Sequence, residues 1–470
     1  MIFNSIQFII FLPVVVILYY LLPFKYRWIL LLAASYYFYL CWNVNYIVLL
    51  LSSTMIDYVC AIMMDRYHNK RSKLLFLWIS AFSNFGMLFT FKYYNFFIDS
   101  INYSLNFFSL GSPIPFIEVL LPVGISFYIF QTFSYVVDVY QGNQKAEKHF
   151  GYFALYVTYF PQLVAGPIER YTSLAPQLQT KHTFEYKNLA NGLRLVLFGL
   201  FIKMVIADNL CLYVDRFYKD PALFNSLTAW KIMILYSFQI YSDFHGYSTV
   251  AIGSALMMGV HLMDNFRTPY LSKSIGEFWQ RWHISLSTWF RDYLYFPLGG
   301  NKVRYSRWAF NIFIVFAVSG LWHGANWTFV IWGCLYGILY IVEKKINTII
   351  HWNSKQNTSN LINGFLVLKN FLLVSLIWVL FRSQNLSQAK TVFLGLINPN
   401  KIGDDIILEW QIVIIFSIFL FLDYILYNTR FDIWIDTKPS FVRWLIYGIL
   451  ILSVIAFTGT ENFPFIYFQF

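Results

Sequence analysis

The chain is poor in charge. Of its 470 residues only 12% are Asp, Glu, Lys or Arg, against 58% hydrophobic, whereas a soluble domain carries roughly 25% charged residues. That shortage excludes an ordinary water-soluble enzyme and implies a polytopic integral membrane protein. Cysteine is scarce too: Cys41, Cys60, Cys211 and Cys334 lie far apart in apolar runs, without CxxC or Cys/His spacing. They read as buried packing residues. No period of 20–50 residues repeats, and no Gly/Ser-rich or Pro-rich linker interrupts the chain, so repeat arrays and appended soluble modules are excluded. Metal-ligand clusters, Ser-His-Asp spacing and phosphate-cradling glycine loops are missing as well. The expectation is one all-α domain over residues 1–460, with a short tail at 461–470 and no bound metal or cofactor.

Aromatics are abundant instead. Fifty Phe, 35 Tyr and 16 Trp exceed what interfacial belts need, so many rings must pack helix against helix or line a cavity. The net charge of +11 would suggest nucleic acid in a soluble protein. In a membrane protein it reads as basic loops facing anionic lipid, with no nucleic-acid partner.

A helical span needs about 20 apolar residues. Candidates are 8–22, 28–42, 46–64, 74–91, 119–138, 150–168, 188–215, 228–260, 309–342 as two spans, 363–381, 410–428 and 440–459, giving roughly eleven crossings with some re-entrant. The loop DRYHNKRSK (65–73) is the strongest cytoplasmic anchor. Counting from it places 24–27 and 141–150 inside, and 93–118, which has no Lys or Arg, outside. Arg430, Lys438 and Arg443 precede the last span, so both termini are expected outside a bacterial inner membrane.

Two histidines stand in the most tryptophan-rich stretches, His283 in FWQRWHISLSTWFRDYLY (278–295) and His323 in SGLWHGANWTFVIWG (319–333). A titratable side chain at bilayer depth is a functional candidate by default. Read as one helix, 278–295 puts Trp279, Trp282, Leu286, Trp289, Phe290, Tyr293 and Leu294 on an apolar face that includes His283, as in an interfacial or cavity-capping helix. Trp308–Val342 carries no charge and would be about 52 Å as one helix, too long for a bilayer. Gly320 and Gly324 offer the break, and His323 lies between them.

At these residues the chain resembles the membrane-bound O-acyltransferase superfamily, in particular the bacterial branch that acylates surface polymers: alginate and peptidoglycan O-acetyltransferases, with teichoic-acid D-alanylation as a relative. The likeness runs through LLPVGISFYIFQTFSYVVDVYQG (120–142), YFPQLVAGPIERY (159–171), YSDFHGYSTVAIG (241–253), NFRTPYLSKSIGEFWQRWHISLSTWFRDYLYFPLGGNK (265–302) and the His323 segment. It implies a helical bundle with re-entrant and interfacial helices around a central cavity. One departure is clear: where relatives often read DFSGYSD, this chain has Asp243-Phe244-His245-Gly246-Tyr247-Ser248-Thr249, with an extra imidazole and no acid at 249.

The resemblance implies that His323 is catalytic, with His283 also in the site. A neutral imidazole suits removal of a proton from an attacking hydroxyl, and burial disfavours its charged form. His283 or the Asn326 amide would orient the donor or stabilise the oxyanion, and Trp322, Trp282 and Asp243 would contact substrate, although Asp243 reads equally as a helix-pairing group. Gly166–Pro167–Ile168 and Arg170 read either as part of a cytoplasmic donor entrance or as loop packing. The tail FPFIYFQF (463–470) reads as an aromatic anchor, or by likeness as the FxYxxF pattern of the small partner peptide of D-alanylation systems. In the second reading Tyr467 is an acyl carrier.

The expected activity is passage of an acyl group, acetyl above others, from acetyl-coenzyme A or another acyl thioester towards a cell-surface polysaccharide. The partner implied is an extracytoplasmic serine-esterase-type (SGNH) acetyltransferase. D-alanyl transfer, or a proton-coupled transporter using Asp57, Asp243, His245, His283 and His323, are the alternatives.

Overall fold

The computed structural model describes residues 1–67, 69–118, 121–164, 166–349, 359–457 and 465. These are all-helical, with a single isolated bridge, Phe224 to Asp404, and no strand among them. The helices are α1 Ile6–Leu21, α2 Phe24–Leu40, α3 Ile47–Arg66, α4 Lys70–Leu88, α5 Tyr94–Phe107, α6 Ile125–Gln141, α7 Phe150–Thr158, α8 Tyr171–Leu178, α9 Tyr186–Leu200, α10 Asp208–Lys219, α11 Ser226–Leu256, α12 Ile275–Arg281, α13 Ile284–Phe290, α14 Tyr305–His323, α15 Trp327–Ile349, α16 Asn360–Arg382, α17 Leu386–Ile397, α18 Trp410–Ile425, α19 Phe431–Asp436 and α20 Ser440–Phe457.

Five helical stretches among the described residues are long and apolar enough to cross a membrane: Val44–Arg66, Lys70–Phe107, Tyr186–Lys219, Asn360–Arg382 and Ser440–Phe457. Helix is the form that satisfies every backbone group within the segment when no water is available. The lipid face shows in side-chain exposure. In α1, Phe8, Leu12, Val15, Val16 and Tyr19 are buried while Ile6, Ile10, Ile17 and Leu21 are exposed, and in α20 only Leu450 is buried. Apolar side chains exposed on helices this hydrophobic face hydrocarbon, not water.

The chain forms two compact units. The first comprises 1–190 with 254–263. In it α3, α4 and α6 pack together, and the fully buried Asp57 carboxylate of α3 accepts hydrogen bonds from Ser80 Oγ (2.6 Å) and Asn84 Nδ2 (2.8 and 2.9 Å) of α4. Such polar bonds hold apolar helices in register where burial alone has no preference. The expected crossing at 150–168 is corrected. Helix α7 has nine residues, about 14 Å at 1.5 Å per residue, and gives way to a buried non-helical stretch with prolines at 161 and 167, which remove the N–H groups a helix would need.

The second unit comprises 191–253 with 264–470. Helix α9 runs through a wider π-type turn, Phe201–Ala207, into α10. This span approaches α11 closely: a Cβ on Gly199 or on Gly246 would fall 2.7 Å from the other's carbonyl oxygen. Helices α14 and α15 form a hairpin at the expected break, with Gly324 extended as the cap of α14. A Cβ on Gly333 would collide with the Phe316 carbonyl, and one on Gly320 with that of Phe329. The hairpin exists because these two positions lack a side chain.

Candidate functional site

The second unit brings both histidines together through two different backbone devices. The single helix expected over 278–295 is broken. Helix α12 stops at Arg281, Trp282 is extended, and His283 takes φ +43°, ψ 55° before α13 begins. A residue with a Cβ pays on the order of 1–3 kcal/mol in that left-handed region, and such positions cluster at functional sites. The groups freed by the break are met by the segment at 265–268. Arg267 N donates to Arg281 O (2.9 Å), Ile284 N to Asn265 O (3.0 Å), and Asn265 Oδ1 accepts from Ser285 N (3.2 Å) and Ser285 Oγ (2.9 Å). Helical periodicity could not register this, because the competing bonds come from 14–20 residues upstream.

Asn265 also sets the state of the imidazole. Its Oδ1 lies 3.1 Å from His283 Nδ1, and an amide oxygen only accepts, so Nδ1 carries the proton and Nε2 is the basic nitrogen of the neutral ring. Phe244 of α11 meets the His283 ring edge to face at 4.5 Å.

His323 is the last residue of α14, where the glycine cap turns the chain towards α15. It is 2% exposed, His283 is fully buried, and their ring centroids are 6.5 Å apart at 61°. At that separation the two rings are direct neighbours in the buried interior. Trp322 touches both, at 6.1 Å from His283 and 5.0 Å from His323. Trp332 and Phe381 complete the wall around His323 at 5.0 and 5.3 Å.

Other expected site residues fall elsewhere. Trp282 sits one layer back, against Phe266, Phe278 and Trp378 at 5.0–5.5 Å, and supports the site without lining the histidine pair. The Asn326 amide is held by the chain itself: Oδ1 caps Thr328 N (3.0 Å) at the start of α15 and one of the two Nδ2 hydrogens is donated to Gln384 O (2.6 Å). Asp243 pairs with Lys203, which also holds Asp208 at 2.7 Å, so it joins α11 to the α9–α10 span and its helix-pairing reading is the one the contacts carry. In the first unit Glu169 of the GPIER segment accepts from Met263 N at 2.6 Å, and burial pushes its carboxyl up to about 7. Tyr467 lies outside the described residues. Phe465, two residues before it, is buried and stacked on Tyr247 (4.7 Å, 26°), and meets Phe244, the same ring that contacts His283, at 5.3 Å.

Asn265 lines a cavity of about 740 Å3 that sequence reasoning did not locate, a size within the range of small-molecule and cofactor pockets. Leu195, Phe198, Ile252, Phe266, Leu426 and Phe431 give it an apolar wall and His245, Ser248 and Thr268 a polar one, while Arg267, Arg281 and Arg430 stand beside Asp264 and Asp423, with Asp264 paired to Arg267 and Arg430. Glu277 and the Tyr427 hydroxyl fix Arg281 at 2.9 and 2.7 Å, while Asp432 holds Arg430 through two bonds of 2.7 and 2.8 Å. Asn265 and Phe266 thus border both a ligand-sized cavity and the buried His283. The signal for it was the NFRTPY segment, whose first two residues make these contacts.

Such an arrangement can take a proton from a hydroxyl next to a polarised carbonyl, which is the requirement of acyl transfer. Comparison with known proteins agrees. The model of the membrane-bound O-acyltransferase family matches residues 147–383, a stretch containing both histidines. The chain is 35% identical to the probable alginate O-acetylase AlgI of Pseudomonas putida over the full length of both. It is 35% identical to the peptidoglycan O-acetyltransferase of Helicobacter pylori over 86% of this chain and 81% of that protein. With the teichoic acid D-alanyltransferase of Bacillus subtilis it shares 29% over 50% of this chain and 60% of that one. The chain belongs to the membrane-bound O-acyltransferase family and is a multi-pass membrane acyltransferase.

Proposed function

We propose that this protein carries an acetyl group from a cytoplasmic thioester to the outer face of a bacterial inner membrane, for O-acetylation of a cell-surface polysaccharide such as alginate or peptidoglycan. The observation that carries the reading is the convergence of His323, His283 and Phe465 of the FxYxxF tail on one run of touching rings. Acetyl is favoured over D-alanyl because the O-acetylase relatives match over nearly the whole chain, the D-alanyltransferases over about half.

The donor enters the Asn265 cavity, whose arginines suit the phosphates of a coenzyme A-type thioester and whose apolar wall suits its arm. Arg430 belongs to the basic stretch that marks the cytoplasmic side, consistent with a cytoplasmic mouth. His323 accepts the proton of the attacking hydroxyl. The hydroxyl oxygen then bonds to the thioester carbonyl carbon, the C–S bond breaks, and the departing sulfur takes the proton back from the imidazolium. The products are a free thiol and an oxygen ester. Tyr467 supplies that hydroxyl: two residues of chain reach at most about 7 Å from Phe465. The ester is then passed to a separate extracytoplasmic serine-esterase-type acetyltransferase. His283, locked with Nε2 as acceptor, orients the donor.

The test is thiol release from acetyl-coenzyme A by the purified protein. The reading expects turnover by wild type and loss of at least 100-fold in His323→Ala with retained fold. Equal turnover by the variant removes His323 as the base.

A further inference from the structure

Several buried donors around Trp332 have no hydrogen-bond partner among the described residues. Trp282 Nε1, Trp332 Nε1, Tyr336 Oη and Thr328 Oγ1 belong to residues that are 0% exposed, and none has a hydrogen-bond partner among the described residues. An indole N–H is a donor only, so neighbouring indoles cannot satisfy one another. Leaving a buried donor unmet costs about 1–3 kcal/mol, and native proteins rarely tolerate it without a functional reason. Meanwhile the group expected to stabilise the oxyanion, Asn326, is engaged with Thr328 and Gln384.

Among these donors, Trp332 is the one whose ring packs against His323. Its ring stands edge to face with His323, 5.0 Å between centroids at 81°. Trp378 stacks on it at 5.6 Å and Tyr336 meets its edge at 5.1 Å. It directly precedes Gly333, whose contact with α14 permits no side chain, so the indole is held by backbone packing as well as by rings. An oxyanion donor needs this property: aimed before the reaction, with no reorganisation during it.

We propose that the Trp332 indole N–H is the oxyanion donor of the acyl-transfer site and takes the carbonyl oxygen of the acyl thioester. This rests on the reading of His323 as base. As His323 removes the hydroxyl proton and the new C–O bond forms, the carbonyl electron pair moves onto oxygen and the N–H···O bond strengthens. When the tetrahedral centre collapses, the pair returns, the C–S bond breaks with its electrons on sulfur, and the imidazolium returns the proton to sulfur. The indole keeps its own proton throughout.

The experiment uses the full-length protein in detergent micelles with acetyl-coenzyme A, reading thiol release. Trp332→Phe removes the N–H and part of the ring. Site-specific replacement of Trp332 by benzothienylalanine removes the N–H alone and keeps the bicyclic shape. Removal of one oxyanion-hole donor costs about 10²–10³ in kcat. Both variants should therefore lose kcat on the order of 100-fold, with KM for acetyl-coenzyme A within about twofold of wild type and, for the analogue, an unchanged thermal midpoint. A packing role would lower the midpoint and the amount of folded protein without moving kcat. An analogue with wild-type kcat, beside an inert His323→Ala, overturns the proposal and leaves the base intact. Turnover by His323→Ala overturns the base first.

Discussion

Asn265→Ala is the most informative single perturbation of the site's framework. The side-chain oxygen receives three groups: His283 Nδ1 (3.1 Å), Ser285 N (3.2 Å) and Ser285 Oγ (2.9 Å). Each intramolecular hydrogen bond is worth about 1 kcal/mol net, and a buried donor left unmet costs about 1–3 kcal/mol. The Ser285 hydroxyl can rotate to another acceptor, but the Ser285 amide and the His283 ring cannot follow. The expected loss is therefore on the order of 3 kcal/mol, concentrated at the α12–α13 break because the Ile284–Asn265 backbone bond persists. Released from its tautomer, His283 should also misalign donor, lowering kcat/KM for acetyl-coenzyme A at least tenfold. Asn265→Asp, which keeps an acceptor, should recover part of the stability. Thermal unfolding in micelles by tryptophan fluorescence, beside thiol-release kinetics, reads both quantities. An Asn265→Ala protein with wild-type midpoint and kinetics would refute the idea that this amide positions His283.

Further outcomes follow from other contacts. Gly333→Ala forces a Cβ onto the Phe316 carbonyl and should cost about 1–3 kcal/mol by overpacking, with loss of folded protein on size exclusion; Gly448→Ala, where nothing lies within 4 Å, should be silent. Lys203→Met leaves the buried Asp243 and the half-buried Asp208 without their cation and should destabilise by about 3 kcal/mol, whereas Lys203→Met with both aspartates changed to Asn should restore most of it. Glu169 has a folded-state carboxyl raised by burial to about 7 from 4.5, so its stabilisation is full below about pH 4.5 and lost as pH rises through 7. Glu169→Gln should accordingly be more stable than wild type at pH 8, on the order of 2 kcal/mol, and not at pH 4, as read by thermal midpoints at the two values.

Much of the helical order was legible because hydrocarbon imposes it: apolar runs as at 363–381 or 440–459 become α16 and α20 with little choice. The break after His323 was legible for a similar reason, a charge-free run too long for the bilayer with glycines at its centre. What escaped were decisions made by distant partners. Nothing local to Trp282–His283 announces a left-handed residue; Asn265 imposes it from another segment. Asn326 looked like a substrate ligand because it stands three residues after His323, yet helix capping claims its amide. The crossing expected at 150–168 fails on its own prolines at 161 and 167, whose missing N–H groups end the helix despite its apolar character.

Acyl transfer onto the tail requires His323 as the base. It is tested most directly by mass spectrometry of the C-terminal peptide after incubation with isotopically heavy acetyl-coenzyme A, wild type beside His323→Ala. Wild type should carry a heavy acetyl ester on Tyr467 and the variant none. Donor consumed with Tyr467 unlabelled under rapid quench would contradict the relay and return the tail to an aromatic anchor.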